Sequence, residues 1–247
     1  ARVHAHVLLV CWWPRYRLLV QQGAHVTRAG MASLLVSELP LDMREGLLLR
    51  QLLLPQLHVA LATPTADPLP TCRWLAFLCA RGLAPALAAL HGVIAEQWLP
   101  GAVDALLRVG AGDGVVDGLR ELQDCVVGTG LLTAPEAERV LYGRLAALAD
   151  RALIIDPAAQ DAAVLELLLP VHVLLTPPRR ARLLVQHVLP KLLRALRAWL
   201  RAGRACDYAE VADWYDVWRA TLLQFSVPDA ENLLLLPLLL LMDAVTE

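Results

Sequence analysis

The chain has 247 residues, 57% of them hydrophobic, and its 22 Lys and Arg against 24 Asp and Glu give a net charge of −2. That length suffices for one large domain or a repeat array with a substantial core, and the charge provides no overall attraction to nucleic acid. A mean hydropathy of +0.52 invites a membrane reading, which the interrupted apolar runs argue against. Residues 51–66 contain Pro55 and Pro64, and the run at 233–242 is broken by Pro237, whereas a spanning helix needs about 18–20 apolar residues.

Residue usage follows a GC-rich codon bias, with Lys191 the single lysine and Asn232 the single asparagine, so leucine abundance alone carries no function. Five cysteines, Cys11, Cys72, Cys79, Cys125 and Cys206, form no CxxC pair and no Cys/His ligand spacing, which fits buried thiols in a reducing compartment. The chain opens at Ala1 without a secretory signal and reads as the C-terminal part of a longer protein, with residues 1–247 forming one domain.

Strand-type alternation is rare, and helical spacing recurs between Pro and Gly. In chain order, apolar pairs precede Pro14 (Trp12-Trp13), Pro55 (Leu53-Leu54), Pro100 (Trp98-Leu99), Gly143 (Leu141-Tyr142) and Pro190 (Val188-Leu189). A helical run follows each breaker: residues 15–22, 56–62, 101–109, 144–154 and 191–201. Second helical segments lie between them at 71–78, 115–127 and 158–169, with loops expected at 63–70, 110–118, 128–135 and 176–178. Two helices per unit at a period of about 40–47 residues predict an all-α fold of the α-solenoid or HEAT-like kind. The prolines belong at kinks or first turns.

Chemistry-bearing clusters are sparse. The glycines between Gly110 and Gly114 lack the following lysine and preceding strand of a phosphate cradle and read as a helix–helix loop. His4, His6, His172 and His187 have no metal or acid–base partners at usable spacing, and no nucleophile–base set occurs. No catalytic centre, cofactor site or metal site is expected.

Residues 179–204 hold eight cations and no acid: Arg179, Arg180, Arg182, Lys191, Arg194, Arg197, Arg201 and Arg204. Lys191, Arg194, Arg197 and Arg201 share one helical face opposite Leu192, Leu193, Leu196 and Leu200. This stripe is the candidate partner-binding surface, reading either as a dock for RNA phosphates or an acidic protein, or as a solvated face that pairs in part with Glu210, Asp213 and Asp216. The absence of interleaved exposed aromatics, which single-strand binders use for stacking, favours the solvated reading. On the next helix Tyr208, Val211, Trp214, Tyr215, Trp218, Leu222 and Phe225 fall in one arc, with Asp207 and Glu210 in capping-box register. That seam is expected in the core.

The wording of the seam also resembles a known family. Asp207, Tyr208, Glu210, Val211, Trp214, Tyr215, Trp218 and Arg219, preceded by Leu189-Pro190-Lys191-Leu192 and Trp199-Leu200, are similar to the C-terminal region of the tuftelin-interacting protein family. These are G-patch splicing factors carrying a domain of the GC-rich-sequence DNA-binding-factor type. Asp42, Leu53-Leu54-Pro55-Gln56-Leu57 and Trp13-Pro14 look like earlier family repeats, while several Trp positions of the family are Leu or Ala here and Gly143 replaces a Pro. The resemblance implies a nuclear, non-catalytic scaffold in mRNA splicing that acts in the late intron-lariat spliceosome. It further implies spliceosomal protein partners and a DEAH-box helicase recruited for disassembly through a G-patch, whose glycine pattern is not found in these residues. On this view Pro190, Trp199, Tyr208, Trp214, Tyr215 and Trp218 are the structural motif. A generic solenoid adaptor and a nucleic-acid-binding domain using residues 179–204 are the competing readings.

Overall fold

The computed structural model describes residues 54–62, 67–110, 112–157, 163–201 and 208–227. All of them are helical or in short connections, and no strand occurs among the described residues. The fold is all-α. Among the described residues, nine helices of seven residues or more carry it: α1 Leu54–Ala62, α2 Leu69–Leu78, α3 Leu99–Leu107, α4 Asp113–Gly128, α5 Ala134–Ala152, α6 Ala163–Val171, α7 Pro177–Leu183, α8 Leu189–Leu200 and α9 Tyr208–Leu223.

Two of the expected prolines, Pro100 and Pro190, sit where the helical ladder widens, as does Pro85. Five-residue π turns, Cys79–Leu83, Ile94–Trp98 and Leu184–Val188, run directly into Ala84-Pro85, Leu99-Pro100 and Leu189-Pro190. A proline ring clashes with the carbonyl four residues back, and in all three cases that carbonyl belongs to the π turn, whose wider winding makes room. Gly82 lies in the left-handed region at φ 81° and kinks the first of these turns, a conformation that disfavours any residue with a Cβ.

Three expected boundaries are corrected. Gly143 does not break a helix: α5 runs through it from Ala134 to Ala152, with Gly143 on its exposed side. The helix is set instead by Pro135 in its first turn and by a capping box. Thr133 N–H and Oγ1 both donate to Glu136, at 2.9 and 2.7 Å, and those bonds hold the Glu136 carboxyl below its ordinary range. The expected loop at 110–118 is shorter, because α4 already starts at Asp113. Gly118 lies inside α4 where the helix meets α3; a Cβ there would come within 3.2 Å of the Leu106 side chain. Likewise Pro177 and Pro178, expected in a loop, form the first turn of α7.

Helix α5 is the hub, in contact with α3, α4, α6 and α7. Leu141, Leu145 and Ala149 form its buried stripe, and Leu168, Val171, Leu183, Val188, Leu192 and Leu196 are buried from the later helices. On α9, Val211, Tyr215, Trp218 and Leu222 are buried, as is Phe225 just beyond it, so the aromatic seam is core as expected. Trp214 is the exception, only half-buried. The breaker at Pro14, the run at 15–22, Asp42, Cys11, Arg204, Cys206, the Asp207 cap, the side chain of Tyr208 and the run at 233–242 lie outside the described residues.

Candidate functional site

The basic segment divides into cations used inside the fold and cations left on its surface. Lys191, on the first turn of α8, donates its ammonium to three carbonyls at the C-terminal end of α5: Ala149 at 2.7 Å, Asp150 at 2.7 Å and Leu153 at 2.9 Å. The last carbonyls of a helix lack intrahelical donors and carry the negative end of its dipole, so a lysine reaching across from a neighbouring helix satisfies them. The structure thus removes Lys191 from the expected surface stripe and makes it a cap.

Arg179 and Arg180 are also internal struts. Arg179 donates to the Pro135 carbonyl at 3.3 Å, pairs with Glu138 at 3.4 Å and lies 5.9 Å over the Tyr142 ring. Glu138 in turn accepts the Thr176 N–H at the head of α7 at 2.6 Å. Arg180 donates to the Leu175 and Val173 carbonyls at 2.7 and 3.2 Å.

Arg182, Arg194, Arg197 and Arg201 remain exposed, and no acid among the described residues lies within ion-pair distance of them. Arg194, Arg197 and Arg201 share an arc of about 60° on α8. Pro190 lies exposed on the same side. The partial pairing expected with Glu210, Asp213 and Asp216 therefore does not involve these arginines, although all three acids are exposed on α9. The two helices meet through their tryptophans: Trp199 packs edge-on against Trp214 at 5.7 Å, and Trp214 against Trp218 at 6.0 Å. The indole nitrogens of Trp214 and Trp218 are buried without a hydrogen-bond partner.

A second cluster escaped the sequence reading. His187 Nδ1 lies 2.8 Å from Asp150 Oδ1, and its Nε2 lies 3.3 Å from the Tyr142 hydroxyl. With Nδ1–H donating to the carboxylate, Nε2 faces the Tyr142 hydroxyl in an order formally like a catalytic triad, but that hydroxyl also has Gln186 Oε1 as an acceptor for its one proton, at 3.3 Å. Burial pushes the Tyr142 hydroxyl up from its ordinary value, which keeps the proton on oxygen and opposes a nucleophilic role. The chemistry this arrangement supports is that of a strut between α5 and the π turn before α8. Separations of 37 and 45 residues left no local signal for it.

No group of three His, Cys, Asp or Glu among the described residues is arranged to hold a metal, and no described helix is long and apolar enough to cross a membrane. Comparison with known proteins gives one partial likeness. Over 70 residues the chain is 36% identical to Septin-interacting protein 1 of Drosophila melanogaster. The match covers 28% of this chain and 8% of that protein. No family model matches the chain, and no solved structure does. The exposed arginine face of α8, beside the tryptophan junction with α9, is the candidate site, its guanidiniums able to pair with anionic groups.

Proposed function

We propose that this chain is a non-catalytic scaffold domain of a nuclear splicing factor that acts in the late intron-lariat spliceosome. It would anchor a G-patch protein that brings in a DEAH-box helicase for disassembly. The reading rests on the family-like wording of Asp207, Tyr208, Trp214, Tyr215 and Trp218. The docking surface is assigned to Arg194, Arg197 and Arg201, with an acidic segment of a spliceosomal protein as the partner. A planar guanidinium grips carboxylates in two-pronged fashion, and three on one face supply a register for such a segment.

In this proposal the helices form a HEAT-like array of pairs with the period of about 40–47 residues. The recurrence of a five-residue π turn leading into Leu99-Pro100 and again into Leu189-Pro190 supports it, since the two sites lie two such periods apart. Lys191 and Pro190 then serve the repeat interface, and the tryptophan seam fixes α9 against α8.

The partial likeness to Septin-interacting protein 1 favours a second reading in which the docked partner is a septin. Affinity purification of the full chain from nuclear extract, followed by mass spectrometry, separates the two. Spliceosomal proteins retained by the native chain and lost from the Arg194→Gln/Arg197→Gln/Arg201→Gln variant are the expected result. Septins retained in their place would establish the second reading, and unchanged retention by the variant would remove the arginine face from the proposal.

A further inference from the structure

Helices α2 and α4 bring two cysteines together that lie 53 residues apart in the chain. Cys72, 1% exposed, sits on the face of α2 that packs against α4, with its Sγ 3.8 Å from the Glu121 carbonyl. Cys125, half-buried, lies across from it, its Sγ 3.0 Å from the Cys72 carbonyl. Each sulfur thus touches the backbone of the other's helix. They line an open cleft of about 420 Å³ whose rim is formed by Arg73, Arg120, Glu121 and Asp124. The Arg73–Glu121 pair, at 2.7 Å, crosses the same two helices beside them.

The sulfurs are unequal. The neighbouring Cys125 thiol, together with burial, pushes the Cys72 thiol up. The adjacent Cys72 thiol, helped by the Ala76 backbone, draws the Cys125 thiol down against the opposing effect of burial. One member of the pair is therefore the readier thiolate, and it is the one with access to the cleft. Reactivity toward oxidants follows thiolate character and exposure together.

We propose that Cys125 and Cys72 form a peroxide-oxidisable thiol pair that closes to a disulfide joining α2 to α4. In the first step the Cys125 thiolate attacks one oxygen of hydrogen peroxide. The S–O bond forms, the O–O bond breaks, and the departing hydroxide takes up a proton as water; Cys125 becomes a sulfenic acid, oxidised by two electrons while the peroxide is reduced by two. The negative charge that held the proton on Cys72 is then gone. In the second step Cys72 sulfur attacks Cys125 sulfur, the S–S bond forms, and the S–O bond breaks. The hydroxyl leaves with the Cys72 proton as water. Two thiols and one peroxide give one disulfide and two waters. The half-exposed Cys79, whose thiol burial pushes up, is the internal comparison, since it shares the neighbourhood without the paired geometry.

The test treats the reduced chain with equimolar hydrogen peroxide and maps its peptides by mass spectrometry. A species lighter by two hydrogens, with one crosslinked peptide pair containing Cys72 and Cys125, is expected. The urea midpoint should rise on oxidation and return on reduction, because the crosslink closes a long loop. The Cys72→Ser variant should instead accumulate a dimedone-reactive sulfenic acid at Cys125, which the native chain under the same treatment shows only transiently. A crosslink from Cys125 to Cys79 or to any other cysteine would overturn the proposal. So would a native chain that consumes no peroxide at these positions, and since that arm uses no variant it does not depend on a substitution folding.

Discussion

The Lys191 ammonium lies 2.7 Å from the Ala149 carbonyl oxygen and makes two further bonds to the end of the same helix. A single charged donor thus closes the C-terminal end of the hub helix Ala134–Ala152 and ties it to the helix that follows the π turn. Replacing it should hurt more than replacing a surface cation. Hydrogen bonds to charged groups contribute about 1.5–3 kcal/mol, so Lys191→Met is expected to cost about 2 kcal/mol. Chemical denaturation of the two proteins checks this: the midpoint falls and the slope stays the same. Arg194→Met, from the exposed face one turn along, should shift the midpoint by less than about 0.5 kcal/mol.

The tryptophans of the seam should separate by burial. Trp218 is 2% exposed, and truncating a buried large aromatic costs about 3–5 kcal/mol. From the seam pattern alone Trp214 carries the same expectation. The structure lowers it, because Trp214 is half-buried at the edge of α9, held by Trp199 and Trp218. Trp218→Ala is expected to lose about 3–5 kcal/mol and Trp214→Ala about half as much, measured by thermal unfolding. Equal losses would mean that Trp214 is buried as deeply as its neighbour.

The helical class was legible because period and punctuation are local properties. Leu99-Pro100 and Leu189-Pro190 each mark a perturbed turn. Gly143 misled because glycine, unlike proline, keeps its N–H and has no ring to clash, so a well-capped helix passes through it. The site was less legible. Lys191, Arg194, Arg197 and Arg201 share a helical face by arithmetic, yet which of them meets a neighbour depends on where the end of a helix about 40 residues earlier is placed. The Asp150–His187–Tyr142 chain and the Cys72–Cys125 pair have the same origin: their members converge only through packing of helices distant in sequence.

His172 gives the protein an acid-sensitive joint. It is 4% exposed, its Nδ1 meets the Leu169 carbonyl, and its ring packs 4.9 Å from Phe225. Burial pulls its pKa below the ordinary histidine value, with the Arg180 charge acting in the same direction. The folded state therefore binds this proton less readily than the unfolded chain does. The neutral ring's contribution is fully present above the unfolded value of about 6.5 and is lost as pH falls from there toward the depressed folded value. Urea midpoints taken from pH 7.5 down to 5 should decline in the native protein. In His172→Gln, which starts from a lower midpoint, that part of the decline should disappear.

The arginine face should prefer protein to RNA. Three phosphate contacts by Arg194, Arg197 and Arg201 would give a log–log salt slope of about −2.1 for single-stranded RNA, at roughly −0.7 for each contact. Against that small gain stand Glu210, Asp213 and Asp216, exposed on the adjoining helix, and a net charge of −2, both repelling a polyanionic backbone. An acidic peptide can pair with three guanidiniums and end there, whereas RNA extends its charge past them toward the acids. Fluorescence anisotropy in about 0.15 M salt, where the Debye length is about 8 Å, is expected to show only weak RNA association. Sub-micromolar binding whose slope falls by about 0.7 for each Arg→Gln replacement would mean that the face reads phosphates, and the assignment of an acidic protein partner would have to be abandoned.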